Sequence, residues 1–151
     1  MSRLERSGIE VEVPVGWEGS ISGGGLELAD GARESTVLHL ASFPLPAGRG
    51  TFGSDAVELM NGQDVFMALL EYGPESADSP LFAAQGIPRR LQTRQFDRDA
   101  LQRALPGQSG LQLFFTHRGR AFCLYIVLGS HVDRADILPR VNAVLDTLEI
   151  R

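Results

Sequence analysis

Three histidines, one cysteine and a set of carboxylates are the residues whose types could do chemistry in this chain. His39, His117 and His131 each lack a second histidine or cysteine at ligand spacing, so the sequence defines no dedicated zinc site. His39 is the one of interest, because it shares a strand face with Val37, Ala41 and Phe43. It would serve as a general base if an acid stood beside it. The competing reading is a core histidine satisfied by a carbonyl or hydroxyl. Cys123, between Phe122 and Leu124, reads as a small hydrophobe rather than a nucleophile, which would need exposure and a nearby positive field. Asp64 and Glu71 stand at opposite ends of one strand, and at about 3.3 Å per residue they are too far apart to share a proton. Gly-x-Ser-x-Gly does not occur, and Gly23-Gly24-Gly25 and Gly48-Arg49-Gly50 lack the pattern of a phosphate loop, whose lysine this chain does not contain. These residues assign no catalytic group, metal ligand or cofactor.

Charge distribution points elsewhere. Every basic residue is an arginine, and the arginines are uneven: residues 1–88 carry thirteen acids against four arginines, residues 89–120 seven arginines against two acids. The basic block is Arg89, Arg90, Arg94, Arg98, Arg103, Arg118 and Arg120. Brought onto one surface, these guanidinium groups would suit carboxylates or phosphates. The alternative is that they pair with the acidic half of the same chain or stand in solvent. A net charge of −5 and few aromatics within the block argue against a nucleic acid as the partner. A second candidate surface is the connection 44–52, where Leu45, Arg49 and Phe52 would form the rim of a binding loop.

The elements that must position these groups are legible as periodicities. Ile9-Glu10-Val11-Glu12-Val13 alternates as a strand with one wet face, Pro14 and Gly16 close it, and 17–22 resumes the alternation, which predicts a hairpin. Residues 26–29 suit a short edge strand. Residues 37–43, 65–72 and 121–128 are apolar on both faces, as strands lying between two layers are. Residues 91–96 and 111–115 suit strands that would pair near each other. Short helices are expected at 54–60, from Pro80 to Gly86, and at 98–105. The strongest helix begins with Asp136 as N-cap, has Pro139 in its first turn, and presents Ile137, Leu138, Val141, Val144, Leu145 and Leu148 on one face.

At 151 residues, 43% apolar and 22% charged, the chain has the composition of one globular domain spanning 1–151. One cysteine suits a reducing compartment, and no run approaches the roughly 18 apolar residues of a membrane span, so a cytoplasmic protein without membrane partner is expected. An uncovered edge strand at 9–13 would permit a homodimer, although its glutamates are a common defence against edge pairing.

Three pieces together resemble a known family: Gly8-Ile9-Glu10-Val11-Glu12-Val13-Pro14-Val15-Gly16-Trp17, the apolar strand 122–128, and the ending Val144-Leu145-Asp146-Thr147-Leu148-Glu149-Ile150. A strand running into Pro-x-Gly-Trp with a last helix finishing in Thr-Leu-x-Ile resembles the PsbP-like group, small domains with an antiparallel sheet between helices. That resemblance covers both ends and a third of the chain, and it carries over no site residue. It implies an α+β fold, an antiparallel sheet of about six or seven strands with helices on both faces, and a habit of binding other proteins. The expected function is a non-catalytic accessory or protein-interaction domain contacting its partner through the arginine block, the 44–52 loop, or both. The alternatives are a binding module for a small apolar or anionic ligand between the sheet and 73–110, and an enzyme using His39.

Overall fold

The computed structural model describes residues 2–23 and 35–151; the edge strand expected at 26–29 lies outside them. Their strands form two antiparallel sheets rather than one. The larger has β3 (Glu18–Ser22), β4 (Val37–Ala41), β5 (Val65–Glu71), β7 (Arg120–Leu128) and β6 (Ser109–His117) in that spatial order. The smaller has β2 (Ile9–Val13) between β1 (Ser2–Arg6) and β8 (Glu149–Ile150). Three expectations fail here. The segments 9–13 and 17–22 are not a hairpin: the turn in which Trp17 N–H meets the Pro14 carbonyl at 3.0 Å sends the chain from one sheet to the other. Residues 9–13 are not an edge either, since β1 and β8 flank them on both sides. Nor does Glu10 face water: it is buried beneath Arg3 and Arg151, both ion-paired to it.

The doubly apolar strands read correctly as an internal layer. On β5, Val65, Met67 and Leu69 join the core beneath α1 (Arg134–Leu145), while Phe66, Ala68 and Leu70 join a second apolar cluster on the opposite face. Burial of side chains this size is worth roughly 1.5–3 kcal/mol each. β7 repeats the division with Leu124 and Ile126 on one side and Tyr125 and Val127 on the other.

Helices do not cover both faces. Among the described residues α1 is the one α-helix; the opposite face is closed by connections, with Ala56 and Val57 buried and Leu45, Phe52, Leu101 and Leu105 packed against them. The segments expected to be helical at 54–60 and 80–86 shorten to 3-10 turns at Val57–Leu59 and Pro80–Phe82, and 98–105 forms no helix. Segments this short do not recover the cost of helix nucleation. α1 itself begins earlier than its proline suggested. Its N-cap is Asp133, whose carbonyl accepts from the N–H groups of Asp136 and Ile137, so Pro139 lies inside the helix.

The outer edge of β6 is covered by the segment that follows β5. Gln85 bridges to Thr116 in parallel, and Asp97 and Gly110 exchange backbone hydrogen bonds of 2.9 and 2.8 Å. Between those two points the chain passes along α1 and does not form the strand expected at 91–96; Thr93–Gln95 is a 3-10 turn.

Candidate functional site

The stretch 89–96 runs antiparallel to α1, and its backbone is tied down at successive points. At the helix end, Arg89 donates to the carbonyl of Leu148 at 2.7 Å and to that of Leu145, satisfying acceptors that a helix terminus leaves open. One step further along, Asn142 accepts from the N–H of Leu91 at 2.8 Å and donates to its carbonyl at 3.1 Å. Near the helix start, Arg134 donates to the carbonyls of Thr93 at 3.2 Å and Phe96 at 2.8 Å. Leu91 and Phe96 are buried, which turns the intervening residues outward.

This arrangement divides the arginine block. Arg89, Arg103 and Arg120 are engaged within the chain: Arg103 donates to the Ser54 carbonyl at 2.8 Å and pairs with Glu58 at 3.0 Å, and Arg120 forms a two-bond pair with Glu71. Arg118 is exposed at the β6–β7 turn, where its φ is 53°. Arg90, Arg94 and Arg98 are exposed on the 89–98 stretch and have no side-chain hydrogen bond or ion pair to any described residue. Between the anchor points at Asn142 and Arg134 the helix rises roughly 12 Å, at about 1.5 Å per residue. Arg94 lies between those anchors, Arg90 just before the first and Arg98 just beyond the second, none of them paired with a described residue. The one acid among them, Asp97, accepts the N–H of Asp99 at 2.8 Å.

The second candidate surface is folded down onto the sheet. Arg49 donates from Nε to Nδ1 of His39 at 2.7 Å, from Nη1 to the Pro46 carbonyl at 2.9 Å, and from Nη2 to Ser20 Oγ at 2.6 Å. Leu45 N–H donates to Glu18 at 2.9 Å, and Phe52 meets Tyr125 edge to face with centroids 5.5 Å apart. All three rim residues thus hold the connection in place. Its outward surface is Pro44, Ala47, Gly48, Gly50 and Thr51.

His39 is 6% exposed, and its second ring nitrogen lies 2.6 Å from the Thr51 carbonyl. Arginine has no acceptor and a carbonyl no donor, so the contacts fix the neutral tautomer with hydrogen on Nε2. Burial pushes its pKa below the ordinary histidine value; the Thr51 carbonyl opposes that shift and Arg49 adds to it. No acid is bonded to the ring among the described residues.

One pairing was not anticipated. Ser109 Oγ and His131 Nδ1 lie 2.9 Å apart, joining the start of β6 to the loop before α1. Loss of solvation, Arg134 and Arg98 lower the His131 pKa, with Asp97 opposing. Ser109 is fully buried. The sequence separates these residues by 22 positions, and only the tertiary approach of Gly107 to His131, whose N–H meets the Gly107 carbonyl at 2.7 Å, brings them together. Cys123 is fully buried, and burial raises its thiol pKa.

A cavity of about 10 Å³ lies between β2, the larger sheet and the end of α1, lined by Val11, Leu40, Met67, Leu124, Val144 and Leu148 among others. It is apolar, no larger than a water molecule needs, and sits beneath α1 rather than beneath 73–110. Among the described residues no three His, Cys, Asp or Glu side chains gather as a metal site would require, and no helix is long and apolar enough to cross a membrane.

No protein-family model, curated protein or solved structure matches the chain.

Proposed function

We propose that this chain is an accessory, protein-interaction domain that takes an acidic segment of a partner protein along Arg90, Arg94 and Arg98. The observation that carries the reading is the contrast within the arginine block. Arg89, Arg103 and Arg120 are occupied by carbonyls and carboxylates of the chain itself, whereas these three have no partner among the described residues and stand exposed on or next to the stretch anchored along α1. The backbone under them is anchored to Asn142 and Arg134, so the guanidinium groups are presented on a fixed frame, which lowers the ordering cost of binding. Guanidinium forks match carboxylates two bonds at a time. The resemblance of both chain ends to the PsbP-like group, whose members mostly bind proteins, points the same way.

The test is charge reversal at all three positions, R90E/R94E/R98E, with circular dichroism and urea unfolding as controls for the fold. Partners captured by the wild-type protein from native lysate should be lost by the variant, and their retention by the wild type should fall steeply as salt rises. Capture of the same partners by the variant, with the same salt response, overturns the proposal.

A further inference from the structure

His39 and Arg49 are joined in a way that depends on one proton. Their contact is a hydrogen bond in which Arg49 can only donate, so His39 Nδ1 must be bare. We propose that His39 and Arg49 form a proton-operated latch, closed when the imidazole is neutral, that holds the 44–52 connection on the sheet and releases it on acidification. This goes beyond the arginine strip, which lies on the α1 side of the larger sheet, while the latch belongs to the face carrying Phe66 and Tyr125.

The geometry explains why a proton should act here. Adding hydrogen to Nδ1 sets a donor against a donor at 2.7 Å and a cation against a cation. The surroundings offer little relief. Across β3 the facing residue is Ser20, across β5 it is Ala68, and the Phe66 ring lies 5.3 Å from the imidazole. Arg49 is the charged group in contact with the ring among the described residues. Glu18, two residues along β3, accepts the Leu45 N–H at 2.9 Å and so holds the same connection by a separate point. No described carboxylate is bonded to the imidazole to balance a new charge.

The consequence spreads because a guanidinium is planar. The bonds from Arg49 to His39, Pro46 and Ser20 are set by a single orientation of that plane, and moving the Nε edge away from the ring disturbs the other two. The Thr51 carbonyl, which the Nε2–H of His39 reaches, keeps its donor in either state. The release therefore frees Arg49 and carries the chain from Leu45 to Gly50, including the carbonyl that Gly53 N–H meets, about the remaining tether at Thr51.

The test is amide hydrogen exchange of the full chain, corrected for intrinsic rates, at pH values on either side of the His39 titration, which is followed by ring nitrogen shifts. In the wild type, the amide of Leu45 and that of Gly53, which bonds to the Gly50 carbonyl, should exchange about tenfold faster once His39 is protonated, with the β5 and β7 amides unchanged. H39N places a permanent acceptor near the Nδ1 position and should keep the connection closed at both pH values. R49A should leave it open at both, with His39 titrating nearer its ordinary value. Unchanged Leu45 and Gly53 protection in a wild type whose His39 is protonated overturns the latch. So does a wild-type acid response that survives in R49A, a comparison that stands even if H39N fails to fold.

Discussion

Arg120 and Glu71 are joined by two hydrogen bonds of 2.8 Å each, from Nε and Nη2 of the guanidinium to the two carboxylate oxygens. The same guanidinium donates to the carbonyl of Arg151 at 2.8 Å and to that of Ser7 at 2.9 Å, and its carbon lies 5.4 Å from the Phe122 ring centroid. Glu71 and Arg120 belong to the larger sheet; Ser7 and Arg151 adjoin the strands of the smaller one. One side chain therefore clips the two sheets together at the open end of the β5–β7 ladder. A residue that charge counting placed in a partner-binding patch is a structural bracket.

R120A should accordingly destabilise the fold by about 2–3 kcal/mol, since it strands the Glu71 carboxylate and removes the donor to two carbonyls at once. The lower part of the range for such pairs applies because both side chains retain 21% exposure. R120K should recover less than half of the loss, because an ammonium cannot reproduce the paired geometry. Urea unfolding of the three proteins at neutral pH measures this. An R120A midpoint equal to that of the wild type would show that the bracket contributes nothing.

Gly53 offers a test of how tightly the 44–60 connection is packed. Its φ is +67°, and an added Cβ would overlap the Phe66 ring. The left-handed backbone costs an L residue about 1–2 kcal/mol, and overpacking adds roughly 1–3 kcal/mol. G53A should therefore lower stability by about 3 kcal/mol, whereas G48A, at a position with nothing within 4 Å of a Cβ, should change it little. Similar thermal midpoints for the two variants would contradict the packing described for Phe66.

Much of the large sheet was legible because its strands carry their environment in their composition. The runs around Phe66 and Leu124 are apolar on both faces, which requires cover on both sides whatever supplies it. The face of α1 from Ile137 to Leu145 was equally plain, although the helix expected to carry Leu148 stops at Leu145 and Glu149–Ile150 pairs as a strand. What supplies the second cover was not, because Leu45, Phe52 and Leu105 lie in connections without periodicity. The division into two sheets was hidden for another reason. Alternation at 9–13 and 17–22 states that both are strands but not which neighbour each takes, and the partner of Ile9 is Ile150, at the far end of the chain. β1, with Leu4 as its sole apolar residue, carries no pattern at all. The candidate sites share this limit. One of the two readings of His39 was a core histidine satisfied by a carbonyl or hydroxyl, and Thr51 supplies a carbonyl, but Arg49 as its second partner depends on the path of a loop.

Acid sensitivity follows from the two perturbed histidines, and its sign is fixed. His39 and His131 both have folded pKa values below the ordinary 6.5, so between the folded and unfolded values the unfolded chain binds more protons. Stability is then full above the unfolded value, falls as pH drops through it, and levels off below the folded pKa. The urea midpoint should decline as pH is lowered from 7.5 through the ordinary histidine value of about 6.5. His39 carries most of this because it is the buried one; the more open site of His131 is screened by solvent. H39N should remove the larger part of the decline and H131N the smaller. A midpoint that is flat over the window in the wild type, or a decline that H39N leaves intact, would mean that the His39 site accepts a proton at no cost to the fold.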